Sequence, residues 1–370
     1  MPQSVLITGG AGFIGSHLAD HLLELGHEVR ALDNLVEQVH GGVERPGYLS
    51  PEVELQVGDV RDRAAVSRAL AGIDCVVHLA ARVGVGQSMY EIAEYTSVNS
   101  AGTAVLLEAL LDRPVERLLV ASSMSVYGEG RYLARGREVP AVERDAAQFE
   151  RGEWEPRGPR GEALEPVATP ERKRPSLSSI YALNKFDQER MCLLFGSSYD
   201  VPAVALRFFN VYGPHQALSN PYTGVLAIFA GRLLNDRPPL IFEDGRQRRD
   251  FVHVSDVARA CALALTGDGA DGEVVNVGSG NSYTVSEIAE RLARVMGKPQ
   301  IEPQIAGKYR VGDIRHCFAD ISLAHEALGF EPQVELDDGL AQLAEWLEGQ
   351  VATDRVDDAT AELNARGLTR

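Results

Sequence analysis

Residues 5–15 read Val-Leu-Ile-Thr-Gly-Gly-Ala-Gly-Phe-Ile-Gly, a buried-strand pattern followed at once by glycines at three-residue spacing. A helical pattern then covers residues 16–25. In such a turn Gly9 permits the tight bend, Gly12 lets the backbone approach a pyrophosphate, and Gly15 lets helix and strand pack closely. The N-terminus of the helix faces the negative charge. This stretch predicts the first strand, turn and helix of a dinucleotide-binding sheet.

A carboxylate follows the second apolar run. Residues 28–32 end at Asp33, the place where a carboxylate accepts hydrogen bonds from an adenosine ribose. A 2'-phosphate would be repelled there, and Asn34 follows rather than an arginine. These residues favour NAD over NADP as the cofactor; the alternative is that Asp33 only caps the end of a strand.

The composition excludes several classes of partner. The 370 residues carry a net charge of −17, which argues against a broad nucleic-acid-binding or anionic-membrane surface. No apolar run approaches the ~18 residues that a membrane span needs, and no basic leader precedes the first strand. The separated cysteines Cys75, Cys192, Cys261 and Cys317 indicate buried thiols rather than a disulfide framework or a metal site. We expect a cytoplasmic protein with no metal, nucleic-acid partner or membrane contact.

Short apolar runs alternate with helical stretches up to about residue 120. This alternation of strand and helix patterns predicts an α/β fold, a Rossmann-type doubly wound parallel sheet, with a smaller C-terminal α/β substrate-binding domain. The predicted units are residues 1–210 and 248–277 for the NAD-binding domain, 211–247 and 278–348 for the nucleotide-sugar-binding domain, and 349–370 for a frayed or loosely helical polar tail.

Residues 131–175 interrupt the alternation. They hold 19 charged residues and six prolines among 45 positions, with little apolar periodicity. Such a composition predicts an exposed insertion that forms no core and is partly mobile. A lid over the substrate is the more specific alternative.

Tyr181 and Lys185 are spaced to lie on one face of a helix, one turn apart. A phenol of pKa near ~10 acts as a base at neutral pH only if its anion is stabilised by about 4 kcal/mol. A lysine cation and an oxidised nicotinamide could together supply that stabilisation. Because Ser123 closes an earlier strand and a dinucleotide unit precedes both, the pair predicts a catalytic site.

Several motifs together carry a family resemblance: Thr8-Gly9-x-x-Gly12-x-x-Gly15, Asp59-Val60, Leu79-Ala80-Ala81, Ser123, Tyr181-x-x-x-Lys185, 207–214, 249–257 and 276–280. The chain resembles the extended short-chain dehydrogenases/reductases of the nucleotide-sugar epimerase/dehydratase family over residues 4–348. The resemblance implies that Tyr181 is the base, that Lys185 holds the NAD ribose and lowers the pKa of the tyrosine, and that Ser123 binds the sugar hydroxyl. It also implies a nucleotide-diphosphate sugar as substrate.

The resemblance extends to individual binding residues. Asp59 and Val60 would contact adenine, and Asn210 and Arg249 the nucleotide diphosphate. The implied cofactor-binding residues are Gly9, Gly12, Phe13, Ile14, Asp33, Asn34, Asp59, Val60, Leu79, Ala80, Ala81, Tyr181 and Lys185. The implied substrate-binding residues are Val83, Ser123, Ser125, Asn210, Arg249 and Arg315.

Arginines cluster in two places of an otherwise acidic chain. Arg246, Arg248 and Arg249 form one group, and Arg310 and Arg315 flank the other. Both groups could converge on a pyrophosphate, since guanidinium forks match phosphate geometry. We predict phosphate contacts for Arg249 and Arg315 and treat Arg246 and Arg248 as solvated; the alternative is that all are surface charges.

The residues after Ser123 bear on the reaction. Dehydratases of this family place Asp-Glu there, because loss of water needs an acid and a base. Met124 and Ser125 stand there in this chain, so dehydration is disfavoured. The simplest remaining chemistry is 4-epimerisation: the C4 hydroxyl is oxidised to a ketone, the sugar turns in the site, and hydride returns to the other face.

Segments 83–91, 122–132 and 216–224, with the insertion, look most like the branch that converts dTDP-L-rhamnose to dTDP-6-deoxy-L-talose. The alternatives are a UDP-glucose or UDP-N-acetylglucosamine 4-epimerase, a nucleotide-sugar 4-ketoreductase and, from another class, a non-catalytic NAD-responsive regulator. By the same resemblance, helices near 95–111 and 179–199 would pair across a two-fold axis into a homodimer.

Overall fold

The structure, a computed structural model, describes residues 2–141, 144–218, 220, 222, 224–310, 313–350 and 352–369. The strands are β1 (Ser4–Thr8), β2 (Glu28–Asp33), β3 (Glu54–Val57), β4 (Cys75–His78), β5 (Arg117–Ser123), β6 (Arg131–Ala134), β7 (Arg137–Glu138), β8 (Glu165–Val167), β9 (Ala203–Phe208), β10 (Asn210–Tyr212), β11 (Leu240–Ile241), β12 (Arg248–Arg249), β13 (Phe251–His253), β14 (Val274–Val277), β15 (Tyr283–Thr284), β16 (Gln304–Ile305) and β17 (His316–Cys317).

The α-helices are α1 (Phe13–Glu24), α2 (Glu37–His40), α3 (Arg63–Ala69), α4 (Val85–Ser88), α5 (Ile92–Thr96), α6 (Gly102–Asp112), α7 (Ala146–Glu150), α8 (Ile180–Tyr199), α9 (Val225–Leu234), α10 (Val254–Thr266), α11 (Val285–Val295), α12 (Ser322–Leu328), α13 (Leu336–Leu347) and α14 (Val356–Ala365). A π-helical turn, Ser97–Ala101, joins α5 to α6, and a 3-10 turn, Met124–Tyr127, follows β5. Within the described residues, no helix combines the length and apolar character needed to cross a membrane.

The central sheet has seven parallel strands in the order β14-β9-β5-β4-β1-β2-β3. In its middle, Val5 pairs with Val29 on one side and with Cys75 on the other. Helices cover both faces, so the strand residues are buried on both sides and read as continuous apolar runs. The α/β prediction is therefore confirmed. The carboxyl ends of β1, β2, β4 and β5 meet at one edge of the sheet, where a ligand is expected.

A second core lies beyond that edge. Helices α9, α11 and α13 pack together through buried side chains that include Phe229, Ile288 and Leu340. Short strand pairs connect this region to the sheet: β10 pairs with β13, and β12 pairs with β15 and β17. The central sheet and this second core face each other across a cleft.

The segment 131–175 is mostly exposed or half-buried, as expected, but it is more regularly structured than its composition predicts. It forms the small sheet β7-β6-β8 and helix α7, and Tyr132 is only 1% exposed. Its charges are paired across the molecule: Glu155 binds Arg315, and Arg144 binds Glu243 at 2.7 Å. We call Arg315, Glu155, Glu243 and Asp244 the Arg315 cluster. Ion pairs with a distant domain order this segment, and a pattern of apolar periodicity cannot report such pairs.

The C-terminal segment is also more ordered than the expected polar tail. Within it, α14 runs from Val356 to Ala365, and Ala359 and Leu363 are 8% and 5% exposed. Val356, Ala359 and Leu363 recur at helical spacing, so the helix has one narrow apolar face despite its polar composition. That face packs against the rest of the protein.

Candidate active site

A cleft of about 590 Å³ runs between the central sheet and the second core. This volume lies within the range of small-molecule sites. It brings together most of the predicted site residues: Gly9, Gly12, Phe13, Ile14, Asp33, Asn34, Val60, Leu79, Ala80, Ala81, Val83, Ser123, Ser125, Tyr181, Lys185, Asn210 and Arg249. Two predicted residues, Asp59 and Arg315, do not line it.

The glycine turn leaves a cradle at one end of the cleft. Gly9 has φ +71°, and a Cβ on Gly15 would lie 2.4 Å from the Gly9 carbonyl oxygen. A Cβ on Gly12 would meet only that same oxygen, at 3.3 Å. The backbone at Gly12 therefore faces open space at the N-terminus of α1. This arrangement fits the pyrophosphate of a dinucleotide.

Asp33 is fixed at the same end. Its carboxylate accepts from the backbone N–H of Ala11 at 3.1 Å and from that of Leu35 at 2.9 Å. His40 Nε2 lies 3.7 Å from the same carboxylate. Asp33 is therefore held at the cleft, where the cofactor prediction requires a ribose ligand.

Asp59 is occupied elsewhere. Arg61 Nη2 binds its carboxylate at 2.7 Å and Asn34 Nδ2 at 3.1 Å. The hydrogen bond from Arg61 lowers the pKa of Asp59 to about 2. The predicted adenine contact of this side chain is not supported, because its acceptors face Arg61, while the neighbouring Val60 does line the cleft.

Tyr181 lines the cleft between the central sheet and the second core. It lies in the first turn of α8, which Ser179 caps by accepting from the Ala182 N–H at 3.1 Å. The N–H of Tyr181 donates to Ser88 Oγ at 3.1 Å. Burial raises the pKa of the Tyr181 phenol, and a hydrogen bond with Ser123 opposes that rise. Ser123 and Tyr181, far apart in sequence, are thus adjacent at the carboxyl end of β5.

Lys185 lies one turn further along α8 and is 3% exposed. Burial lowers the pKa of its ammonium to about 8. Its Nζ donates to Gln188 Oε1 at 2.8 Å, and Gln188 Nε2 donates to Thr103 Oγ1 at 3.0 Å. The lysine is therefore positioned by a buried polar network.

His78 continues that network. Its ring nitrogens lie 2.7 Å from Thr8 Oγ1 and 2.8 Å from Thr103 Oγ1. Complete burial lowers its pKa to about 3, so the ring is neutral. His78 is therefore a hydrogen-bonded core residue.

Two arginines face the opposite end of the cleft. Arg249 lines it while donating to the carbonyls of Ile314 and Arg315. Arg310, which the sequence analysis left unassigned, lies with its guanidinium 4.0 Å from the centre of the Phe242 ring. Its Nε is buried and finds no acceptor among the described residues. Burial lowers the pKa of Arg310, and an anion in the cleft would supply its missing partner.

Arg315 is not available for a phosphate. It is fully buried and binds Glu243 at 2.9 Å and Asp244 at 2.6 Å, besides Glu155. Its guanidinium is already neutralised by carboxylates, so the predicted phosphate contact is wrong. Arg310, five residues earlier, occupies the cleft instead. Gly312, and Ser219, Pro221 and Thr223 of segment 216–224, lie outside the described residues.

A comparison with known families explains this arrangement. Residues 5–278 match the model of the NAD dependent epimerase/dehydratase family. The chain belongs to that family. It is therefore an NAD-using enzyme, and its relatives named as epimerases are isomerases.

Individual relatives match over nearly the whole chain. The dTDP-L-rhamnose 4-epimerase of Burkholderia thailandensis is 36% identical over 352 residues, covering 93% of this chain and 95% of the relative. The UDP-glucose 4-epimerase of Thermotoga maritima, solved with UDP-glucose, has a TM-score of 0.76 at 31% identity, covering 94% of this chain and 99% of that chain. The Thermus thermophilus UDP-glucose 4-epimerase, solved with NAD, has a TM-score of 0.74 at 32% identity, with coverage of 94% and 100%.

Proposed function

We propose that the protein is a nucleotide-sugar 4-epimerase that keeps NAD bound and passes through a transient 4-keto sugar. The observation that carries this proposal is the meeting of Ser123, Tyr181 and Lys185 in one cleft with the glycine cradle. Met124 and Ser125 follow Ser123 and offer no carboxylate for the loss of water. The site thus holds what oxidation and reduction at one carbon need, without the additional groups of a dehydratase.

Each of these side chains has a distinct task in the proposal. Tyr181 takes the proton of the C4 hydroxyl and returns it after the sugar has turned. Ser123 orients that hydroxyl, and the Lys185 ammonium, held by Gln188, favours the phenolate. NAD, when held at the glycine cradle, would accept a hydride from C4 and would supply the hydride for the reduction. Burial alone raises the pKa of Tyr181. Nearby positive charge is therefore required to lower this pKa far enough for the phenol to act as a base at neutral pH.

The two arginines of the cleft would hold the diphosphate. Arg249 is fixed by the carbonyls of Ile314 and Arg315, and Arg310 has an unsatisfied Nε among the described residues. Asn210 lines the same region. In this assignment residues 1–210 and 248–277 form the NAD-binding domain, which also contributes Asn210 and Arg249 to the substrate site, and residues 211–247 and 278–348 form the nucleotide-sugar-binding domain.

The proposed substrate is dTDP-L-rhamnose, and the product dTDP-6-deoxy-L-talose. The identity to the Burkholderia thailandensis enzyme supports this. So does the surface beside Tyr181, where Val83, Val85 and Met89 line the cleft and suit a 6-deoxy sugar, in which C6 is a methyl group. The second candidate is UDP-glucose, supported by the likeness to the Thermotoga maritima structure.

We further propose a homodimer in the cytoplasm. Helices α5, α6 and α8 expose large apolar side chains that pairing would cover: Ile92, Leu111, Leu183 and Leu194 are 41–55% exposed. All four cysteines are buried and unpaired, in keeping with a reducing compartment. Sedimentation of the purified protein, which would give twice the chain mass, tests the dimer.

The deciding experiment is a proton NMR spectrum of the purified protein with dTDP-L-rhamnose and no added cofactor. A second dTDP-deoxyhexose with small couplings at H4, at a ratio that is the same when approached from either side, is the expected result. Conversion of UDP-glucose instead would replace the substrate and keep the reaction. No conversion of either sugar by protein that holds NAD would overturn the proposal.

A further inference from the structure

The C-terminal segment, residues 352–369, lies across the substrate end of the cleft. Its helix α14 places Val356, Ala359, Thr360 and Leu363 along the cleft, and Leu368 follows beyond the helix. The helical members recur at three- and four-residue spacing, so one face of α14 points into the site. These side chains are predominantly apolar.

One side of the segment contacts the loop beside Tyr181. A Cβ on Gly86 would lie 3.3 Å from Leu363 Cδ2. The Arg366 guanidinium lies 4.3 Å from the centre of the Tyr90 ring, and the Tyr90 hydroxyl is 2.6 Å from that of Tyr222. The segment therefore packs on the wall nearest the proposed base.

The other side contacts the proposed diphosphate ligands. Thr369 forms an antiparallel backbone bridge with Arg310. The segment thus spans the space between the loop that carries Gly86 and Arg310, the arginine whose Nε has no acceptor among the described residues. A nucleotide sugar held by Tyr181 and Arg310 would lie beneath it.

The base and the tip of the segment are held by different kinds of contact. Arg232, on α9, binds Asp357 at 2.9 Å, and Arg237 binds Asp354 at 3.1 Å. Asn235 also donates to the Ala352 carbonyl at 2.9 Å. At the tip, the contacts among the described residues include the apolar contact of Leu363 with the loop at Gly86, the contact of Arg366 with the Tyr90 ring and the backbone bridge of Thr369.

We propose that residues 352–369 complete the substrate site as a cap that closes over the sugar and diphosphate and opens at its tip for exchange. This inference rests on the proposed function, since it assumes a nucleotide sugar in the cleft. Leu363 is its specificity-determining contact, because it faces both the cleft and the loop at Gly86. The cap would keep the sugar in place while it turns between oxidation and reduction.

Binding of dTDP to the NAD-loaded protein tests the cap without relying on turnover. By calorimetry, Leu363→Asp should weaken binding by about tenfold or more, because it places a charge at an apolar contact. Asn364→Ala, at an exposed neighbouring position, is the matched control and should change binding by less than about twofold. Equal binding by the Leu363→Asp variant and the unmodified protein would overturn the cap. Failure of the unmodified protein to bind either dTDP or UDP would instead overturn the proposed function, and the cap with it.

A reversible disulfide distinguishes loss of the cap from unfolding of α14 in the Leu363→Asp variant. In a Gly86→Cys, Leu363→Cys protein, oxidation should join the tip to the loop, and reduction should release it. The native cysteines are buried, and the two new cysteines would stand at positions that are in contact, so oxidation should join this pair. Exchange of dTDP should slow by about tenfold or more in the oxidised form and recover on reduction. The same exchange rate in both forms would show that the tip does not gate the site.

Discussion

The two ends of the cleft are built in opposite ways. The cofactor end comes from strands and turns near the start of the chain, and backbone geometry shapes it: Gly9, Gly12 and Gly15 leave room that any side chain would fill. The substrate end is assembled from distant segments, and side chains such as Arg310 and Leu363 shape it. A site that the backbone shapes can be predicted from a short local motif, whereas a site that side chains shape depends on the tertiary fold.

Tyr181→Phe should have the largest effect, because Tyr181 stands where the two ends meet. Loss of the proton acceptor should lower turnover by about 10²- to 10⁴-fold, while NAD and dTDP still bind. Initial rates by NMR and a count of bound NAD measure the two effects separately. Loss of NAD together with activity would indicate misfolding and would mean that the ends are not separable.

Gly15→Ala should damage the cofactor end alone. The new Cβ would lie 2.4 Å from the Gly9 carbonyl oxygen and 2.7 Å from Gly10 Cα. Because both are backbone atoms, the turn must shift, at a cost of about 1–3 kcal/mol in stability and with loss of bound NAD. Denaturant unfolding measures the loss of stability, and the absorbance of released NAD measures the loss of bound cofactor. Gly26→Ala is the control: φ is +84° there, and a Cβ would have no atom within 4 Å, so this variant adds backbone strain without changing the cradle. Full retention of NAD by the Gly15→Ala variant would contradict the assignment of the cradle to the cofactor.

Arg310→Gln should damage the substrate end alone. Removing a charged partner of the diphosphate should raise KM by about 10- to 100-fold, with little change in kcat or in bound NAD. Arg246→Gln removes an equal charge outside the cleft lining and should leave KM almost unchanged. Equal effects of the two variants would mean that only net charge matters.

His78 should contribute a smaller, pH-dependent effect behind the cofactor end. Its pKa is about 3 in the fold, against 6.5 for an ordinary histidine. Between these values the unfolded chain takes up a proton that the folded chain does not, so stability falls as the pH is lowered through this window. In urea unfolding between pH 7 and pH 5, His78→Gln should lose about 2 kcal/mol less than the unmodified protein. Identical losses would show that His78 does not stay neutral in the fold.

The sequence was sufficient for the sheet and for most of the residues that line the cleft. Apolar runs and glycine spacing predicted the strands and the cradle, and the spacing of Tyr181 and Lys185 predicted their shared helix face. It was insufficient where partners are distant. Nothing near Arg315 in sequence shows that Glu155 and Glu243 will neutralise it. In α14 a usable signal was present, the spacing of Val356, Ala359 and Leu363, but polar neighbours obscured it.

The Arg315 cluster also bears on how the chain reaches and leaves its native state. The bond from Arg315 to Glu155 joins residues 160 positions apart, and the backbone bond from Arg315 to Glu129 joins residues 186 apart. Contacts of such long range close large loops, and they form only after the segments they join have been built. An interaction absent from the transition state slows unfolding and leaves the folding rate unchanged. The ion pairs of the charged segment 131–175 would then slow unfolding and so lengthen the lifetime of the folded enzyme.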